Sequence, residues 1–435
     1  MDNARRTAVL ALVKQENNGY SNIILSNILN NFEGTVKDRA FVSALFYGTL
    51  ERRITLDFIL SPMLKKPIDK LDAEVRAILR CGLYQAKFMT SVPLSAAVNE
   101  SVALARALGK TSASGLVNAV LRKAAAINID EMQFANELDR LACLYAVTPQ
   151  IAKVFIKEFG IDAENELKAT FNKTPLCIRV NTLATTIENM EELYAKQNIK
   201  TERGSIDACL YVDYKGDITA TKAFRNGLFH IQGEASQLAC AALSPKSKCK
   251  VIDLCSAPGG KAATLAQYMG NEGELICCDS ALNRLSLIDT LLLRNKITCA
   301  KVMQNNAEKF NNELCDADYV LCDVPCSGLG VISQKPDIRF KTLDKLNELI
   351  DLQQKILRTA AQYVKKGGKL VYSTCTINSD ENANIINKFI EDNKDFVLCD
   401  IKNIHKKAKI QNKMMIFTPY SSELDGFFVA SLERL

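Results

Sequence analysis

From Lys250 to Ser373 the chain alternates short runs that are apolar on both faces with segments of helical periodicity, and few architectures accept that pattern. The runs are Val251-Ile252-Asp253-Leu254, Leu275-Ile276-Cys277-Cys278-Asp279, Tyr319-Val320-Leu321-Cys322-Asp323 and Leu370-Val371-Tyr372-Ser373. A strand that is apolar on both faces must be covered on both. Strand–helix alternation provides the cover as crossovers of a parallel sheet. The pattern predicts an α/β, Rossmann-like domain with a doubly wound parallel sheet over residues 246–435. Ligands of such sheets sit beyond the carboxyl ends of the strands, where this chain places its polar residues.

Residues 1–140 read differently. Apolar positions recur at helical spacing, as in Leu94, Val98 and Val102, and Gly19, Gly34, Pro62, Pro67, Pro93 and Gly109 punctuate the segments. No fixed internal period is present, so an all-α bundle is expected rather than a repeat array. Residues 141–245 mix a helix near Pro149–Glu158, strand-like Cys177–Asn181, a helix over Thr185–Lys196 and strand-like Ala208–Val212, a small α+β module. A multidomain chain follows, as 435 residues also require. No apolar run reaches the roughly 18 residues of a membrane span, and Met1–Arg6 lacks a signal core. The expectation is a cytoplasmic protein with no membrane partner.

Composition narrows the chemistry. The fifteen cysteines include no C-x-x-C pair, and His230 and His405 are the only histidines. Neither a metal site nor a disulfide framework is therefore expected, and most of the thiols serve as small buried hydrophobes. A net charge of +6 permits a nucleic-acid partner but does not demonstrate one, since a solvated helical surface gives the same excess.

Three turns carry the chemistry. Cys255-Ser256-Ala257-Pro258-Gly259-Gly260-Lys261 follows the first strand. Its adjacent glycines let a ligand approach the backbone, and the next helix start offers free N–H groups. Gly-Gly alone would be a plain turn, but Asp279 closes the second strand where a carboxylate can accept from ribose hydroxyls. This is not G-x-G-x-x-G, so a nucleoside without pyrophosphate is the better ligand. Asp323-Val324-Pro325-Cys326-Ser327-Gly328 and Tyr372-Ser373-Thr374-Cys375-Thr376 follow two further strands. Both put a cysteine at the polar edge of the sheet, outside any apolar core. Paired thiols there suit attack on a pyrimidine. A thiolate adding at carbon 6 makes carbon 5 enamine-like, so that it can take an electrophilic methyl group. A base must then remove the carbon 5 proton so that the thiol can leave. Asp323 is placed to hydrogen-bond a protonated ring.

On these residues the chain resembles the Sun/NOL/NOP family of RNA cytosine-5 methyltransferases, and specifically its bacterial branch acting on 16S ribosomal RNA, over essentially its whole length. Residues 1–140 resemble the antitermination factor NusB through Asp38-Arg39-Ala40, Tyr47-Gly48-Thr49-Leu50, Gly82-Leu83-Tyr84-Gln85 and Val117–Arg122. The middle module is similar to the family's small RNA-binding domain at Arg179-Val180-Asn181 and Gln232–Gln237, and Asp425–Ala430 resembles its closing strand. The resemblance implies S-adenosylmethionine as methyl donor over Cys255–Lys261, with Asp279 on the ribose, Asn306 near the adenine, and Asp323 near the methyl group and the target base. It implies Cys375 as the nucleophile and Cys326 as the thiol that assists product release. It also implies 16S ribosomal RNA as substrate, a monomer, and no metal.

Some positions depart from the family pattern. Asn305-Asn306 stands where an aspartate is usual, Gly233 replaces an aspartate, Gln334-Lys335-Pro336 lacks a histidine before the proline, and Thr376 replaces a serine. An amide oxygen still accepts from an adenine amino group, which implies a weaker contact rather than none. Two other classes compete. A non-catalytic ribosome-assembly factor would not need both strand-end cysteines together with the cofactor loop. A methyltransferase for proteins or small molecules would need neither paired cysteines nor RNA-binding appendages. Another RNA, such as tRNA, remains an alternative substrate at this stage.

Overall fold

The computed structural model describes residues 3–17, 21–401 and 405–435. The chain forms two compact units, Met1–Leu167 with Lys335–Thr342, and Lys168–Gln334 with Leu343–Leu435.

The first unit is helical: α1 (Asn3–Glu16), α2 (Ser21–Asn30), α3 (Val36–Glu51), α4 (Arg53–Leu60), α5 (Ala73–Phe88), α6 (Leu94–Ala107), α7 (Ser114–Ala125), α8 (Glu137–Leu144), α9 (Pro149–Phe159) and, leading out of it, α10 (Ala163–Ala169). Local sequence sets the helix starts. The Thr35 hydroxyl accepts from the Asp38 amide at 3.2 Å while the Thr35 amide donates back to the Asp38 carboxylate at 2.9 Å, a capping box that opens α3. Thr148 caps α9 and Pro149 takes its first turn. The apolar stripes meet in one core around Val9, Leu45, Phe46, Ile78 and Leu121, each such side chain contributing roughly 1.5–3 kcal/mol.

Residues 335–342 also belong to this unit, although the sequence places them among the catalytic motifs. Asp337 accepts from Gln15 Nε2 at 2.9 Å and from the Ser21 hydroxyl. Phe340 packs on the core beneath the Arg53 guanidinium, 4.8 Å from the ring centroid. Arg339 is 1% exposed and donates to the Tyr145 carbonyl at 3.0 Å, and burial pushes its pKa down to about 9.

The second unit begins with β1 (Cys177–Val180), α11 (Ile187–Ala195), β2 (Thr201–Arg203), β3 (Cys209–Val212), α12 (Lys222–Arg225) and β4 (Phe229–Ile231). Its strands form an antiparallel sheet in the order β2-β3-β1-β4. Helix α13 (Glu234–Leu243) leads into the large sheet. Its parallel members are β5 (Lys250–Asp253), β6 (Glu274–Asp279), β7 (Ala300–Gln304), β8 (Ala317–Asp323) and β9 (Val364–Thr374). They are crossed by α14 (Gly260–Tyr268), α15 (Leu282–Arg294) and α16 (Leu346–Tyr363). The chain closes with α17 (Ala383–Asp392), β10 (Phe396–Leu398), β11 (Lys409–Gln411), β12 (Met414–Phe417), α18 (Pro419–Ser422) and β13 (Phe427–Arg434).

The order β11-β12-β13-β9-β8-β5-β6-β7, with β10 on β13, makes this a mixed sheet. The four strands read as parallel from the sequence do pair in parallel with one another and with β7, and β13, β12, β11 and β10 extend the sheet with antiparallel pairs. The hairpin β11–β12 turns on Asn412 and Lys413, both at positive φ, and a two-residue loop admits only antiparallel neighbours. The two-faced apolar strands behave as their sequence requires. Val251, Leu275, Cys277, Leu321 and Val371 enter one core layer, and Ile252, Ile276, Cys278, Val320, Cys322, Leu370 and Tyr372 enter the other. After β7 the chain returns to β8 on the far side of β5, so the topological switch point lies between β5 and β8. There Asp253 pairs in register with Leu321.

Candidate active site

The turn after β5 is shaped by its glycines. Gly259 sits at φ +103°, and a Cβ there would stand 3.2 Å from the Ile288 Cα on α15, so backbone conformation and space both demand glycine. Asp279 at the end of β6 is 4% exposed. One carboxylate oxygen accepts from the Ala257 amide at 3.3 Å and the other from the Ala281 amide at 3.0 Å, and Arg284 lies 3.5 Å away. The expected cofactor residues Cys255 to Lys261 and Asp279 are thereby brought together on one edge.

Several polar atoms here have no hydrogen-bond partner among the described residues: both Asp253 carboxylate oxygens, the Ser256 hydroxyl and the Asn305 amide nitrogen. Burial raises the Asp253 carboxyl to about 7 against the opposing pull of Ser256 and Lys261. Unpaired buried polar groups lining a glycine cradle at a sheet switch point fit a polar nucleoside ligand. The two asparagines after β7 divide. Asn306 is exposed and its side-chain oxygen accepts from the Glu308 amide at 3.0 Å. Asn305 is 7% exposed, accepts from Asn311 at 3.3 Å and keeps its own amide nitrogen free. The buried asparagine is thus the preceding residue, not Asn306.

Asp323 is held from two sides. Lys261 Nζ donates to its Oδ2 at 2.7 Å and the Ser373 hydroxyl to its Oδ1 at 2.7 Å. Burial opposes the Lys261 charge, but the Asp323 carboxylate more than offsets this, so the lysine pKa lies above its ordinary value. The ammonium also stands 5.6 Å from the Phe427 ring centroid.

The two expected cysteines meet. Cys326 follows β8, Cys375 follows β9, and their sulfurs are 3.3 Å apart, both thiols half-buried. The hydrogen bond to Cys375 pushes the Cys326 thiol well above its ordinary pKa, with burial and the Glu381 and Asp323 charges adding to the rise. Cys277, Cys278 and Cys322 are fully buried in the sheet, as small hydrophobes.

The sequence reading missed the scaffold behind this pair. Glu381 is fully buried, and its carboxylate accepts from the Ser327 amide at 2.7 Å, the Ser327 hydroxyl at 2.6 Å, Gln353 at 3.0 Å, Asn378 at 3.1 Å and Thr376 at 3.4 Å. Asn382 accepts from Thr374 and donates to the Thr376 carbonyl at 2.9 Å, bracketing Cys375. The available signal was Asn378-Ser379-Asp380-Glu381-Asn382 directly after a strand end, a run dense in side-chain hydrogen-bonding groups. Thr376 supplies the hydroxyl that the family's serine would. At Gly233 a Cβ would approach Asp425 Oδ2 to 3.5 Å, so an aspartate there would face another carboxylate.

The residues likened to an RNA-binding domain are largely interior. Arg179 is 3% exposed and donates to Gln267 on α14 at 2.9 Å, and Asn181 is fully buried. Gln232 bonds His230 at 3.0 Å and accepts from Thr264 of α14 at 2.6 Å. Burial holds His230 neutral, down to about 4. These side chains fasten the four-stranded sheet to α14.

Comparison with known proteins gives the chain's relatives. Residues 240–433 match the family described as 16S rRNA methyltransferase RsmB/F, and residues 2–126 match the NusB family. A protein of Bacillus subtilis described as probable ribosomal RNA small subunit methyltransferase B is 33% identical, covering 99% of this chain and 98% of its own. A Synechocystis protein of the same description is 32% identical with full coverage of both. Among solved structures, PH0851 superposes with a TM-score of 0.87 at 24% identity over 100% of this chain and 99% of its own. A methyltransferase homologue from Pyrococcus horikoshii gives 0.62 at 26% identity over 69% of this chain and all of its own.

Proposed function

Because this chain belongs to the family of ribosomal RNA small subunit methyltransferases B, we propose that it methylates carbon 5 of a cytosine in 16S ribosomal RNA through a covalent adduct on Cys375. The observation that carries this reading is the 3.3 Å pair of Cys326 and Cys375 beside the Lys261–Asp323 ion pair at the sheet switch point. A methyltransferase that activates its substrate by deprotonation alone needs one base. Two thiols in contact serve a reaction that makes and then breaks a bond to sulfur.

S-adenosylmethionine supplies an electrophilic methyl group and leaves as S-adenosylhomocysteine. Cys255 to Lys261 and Asp279 would hold it, with Asn305-Asn306 as the residues for its adenine and Asp323 as the residue for its methyl group. The Cys375 thiolate adds to carbon 6 of the cytosine, and the electron pair of the 5,6 double bond moves through carbon 5 onto the methyl carbon. Asp323, fixed by Lys261 and Ser373, faces the polarised edge of the ring. Loss of the carbon 5 proton to a base then returns an electron pair to the 5,6 bond and expels the Cys375 thiolate. Cys326, in contact with the Cys375 sulfur, assists that release. The base must leave its stack to be reached from both faces. In this reading residues 1–140 and 141–245 bind RNA, the chain acts as a monomer, and it works in the cytoplasm where subunits assemble. Among the described residues no helix is long and apolar enough to cross a membrane.

The test uses unmethylated 16S RNA and labelled S-adenosylmethionine. Cys375→Ala abolishes transfer, and Cys326→Ala accumulates a protein–RNA adduct that survives denaturing gels. Adduct formation that requires Cys326 and not Cys375 would reverse the two roles.

A further inference from the structure

Glu381 belongs to no element of the proposed chemistry, yet its carboxylate is the most densely bonded group near the two thiols. Its donors come from three directions. Ser327, the residue after Cys326, contributes both its amide and its hydroxyl. Thr376, the residue after Cys375, contributes a hydroxyl, and Ser327 and Thr376 also bond each other at 2.7 Å. Gln353 of α16 gives one amide nitrogen both to Glu381 and to the Pro325 carbonyl at 2.8 Å, closing the turn on the other side of Cys326. The Tyr372 hydroxyl holds the Glu381 carbonyl at 2.7 Å. Both cysteine-bearing turns, from non-adjacent parts of the chain, are thus fastened to one buried carboxylate.

We propose that Glu381 is a positioning residue for the thiol pair: by binding the residues that follow Cys326 and Cys375, it fixes the contact between the two sulfurs. A charged acceptor is required. Ser327 N–H can only donate, and Gln353 and Asn378 turn their NH₂ groups to the carboxylate, held that way by the bond from Gln353 to the Pro325 carbonyl and by the Asp380 amide donating to the Asn378 oxygen, while the Ser327 hydroxyl also donates here. A glutamine would set its own NH₂ against at least one donor and leave it unpaired in the interior. A buried carboxylate is retained when its bonds are this complete, because breaking one costs more than an exposed bond would. The role in catalysis rests on the function proposed above, whereas the placement of the sulfurs does not.

The experiment measures the sulfur pair directly. Phenylarsine oxide bridges two thiols that are in contact, forming two As–S bonds and releasing water, and peptide mapping identifies the pair captured. In the full-length protein the reagent bridges Cys326 and Cys375. The buried pair Cys177 and Cys209, 3.5 Å apart, stays unreacted and reports an intact fold. Glu381→Gln bridges Cys326 and Cys375 at least tenfold more slowly, with Cys177 and Cys209 still protected. Bridging at the wild-type rate overturns the proposal. Should Glu381→Gln expose Cys177 and Cys209, Ser327→Ala decides. It keeps the carboxylate and removes the hydroxyl bridge, so slower bridging upholds the positioning role and an unchanged rate refutes it. Slower bridging in Glu381→Gln, with no rise in RNA adduct in either Glu381→Gln or Cys326→Ala, upholds the positioning role and sinks the release role of Cys326.

Discussion

Replacing Asp323 by asparagine separates its charge from its shape. The amide oxygen can still accept from the Ser373 hydroxyl, now 2.7 Å from Oδ1, but the partner of Lys261, 2.7 Å from Oδ2, becomes neutral. Lys261 is only 15% exposed in its side chain and cannot turn to water without leaving its place above Phe427. A hydrogen bond to a charged group contributes about 1.5–3 kcal/mol. Removal of a partner from a fully buried pair costs roughly 3–5 kcal/mol. With Asp323 25% exposed, the lower range applies, and Asp323→Asn should destabilise the second unit by about 2 kcal/mol. Lys261→Met should cost a similar amount, and the double variant little more than either. The pair would thus couple by about 1.5 kcal/mol in a double-mutant cycle. Urea unfolding followed by circular dichroism measures the three changes, with the helical unit's transition as internal reference. Methyl transfer by Asp323→Asn should fall by about a hundredfold, or roughly 2.7 kcal/mol of barrier, as for loss of one preorganised charge-stabilising group. Coupling below about 0.5 kcal/mol would show that the ion pair does not organise the site.

Gly259→Ala places a side chain at φ +103° against Ile288, a strain of about 1–3 kcal/mol. Calorimetric titration with S-adenosylmethionine should show about tenfold weaker binding, and unchanged affinity would remove this turn from the cofactor site. The Asp253 carboxyl, raised by burial to about 7, carries no charge penalty below about pH 4, where it is neutral folded and unfolded. The penalty builds as pH rises from about 4 and is complete above 7, so Asp253→Asn should gain stability over wild type across that window, on the order of 4 kcal/mol at pH 8. Parallel pH curves for the two would show that this carboxyl does not titrate there. Arg80 meets Asp57 through two bonds of 2.7 Å and also pairs with Glu16. Arg80→Ala leaves the part-buried Asp57 carboxylate without its bidentate partner, while Glu16 keeps Arg76, and should cost about 1.5–3 kcal/mol, read by thermal unfolding; a loss under 0.5 kcal/mol would contradict this.

Much of the site was legible because parallel sheets tie strand ends to ligand sites. Residues closing apolar strands, namely Asp253, Asp279, Asp323 and Cys375, could be placed on one edge before any coordinates. Two-faced apolar strands also implied both core layers, since alternation along a strand leaves each face no other option. Antiparallel pairing of β13 against β9 was not legible. Strand direction depends on where the connecting chain returns, and the residues of β13 look the same in either orientation. Asn305 and Asn306 are adjacent and chemically identical, and only the path of the turn after β7 buries one and exposes the other.

By itself the sequence determined the class of each region, the glycine turn, and the presence of two cysteines at strand ends, all of which follow from local periodicity and strand termination. The tertiary structure alone decided that those sulfurs touch, that Glu381 binds both of their turns, and that residues 335–342 pack in the helical unit. It also decided that Arg179 and Asn181 are interior fasteners. Each of these depends on groups far apart in the chain, whose meeting is set by crossover direction and packing and leaves no local pattern to read.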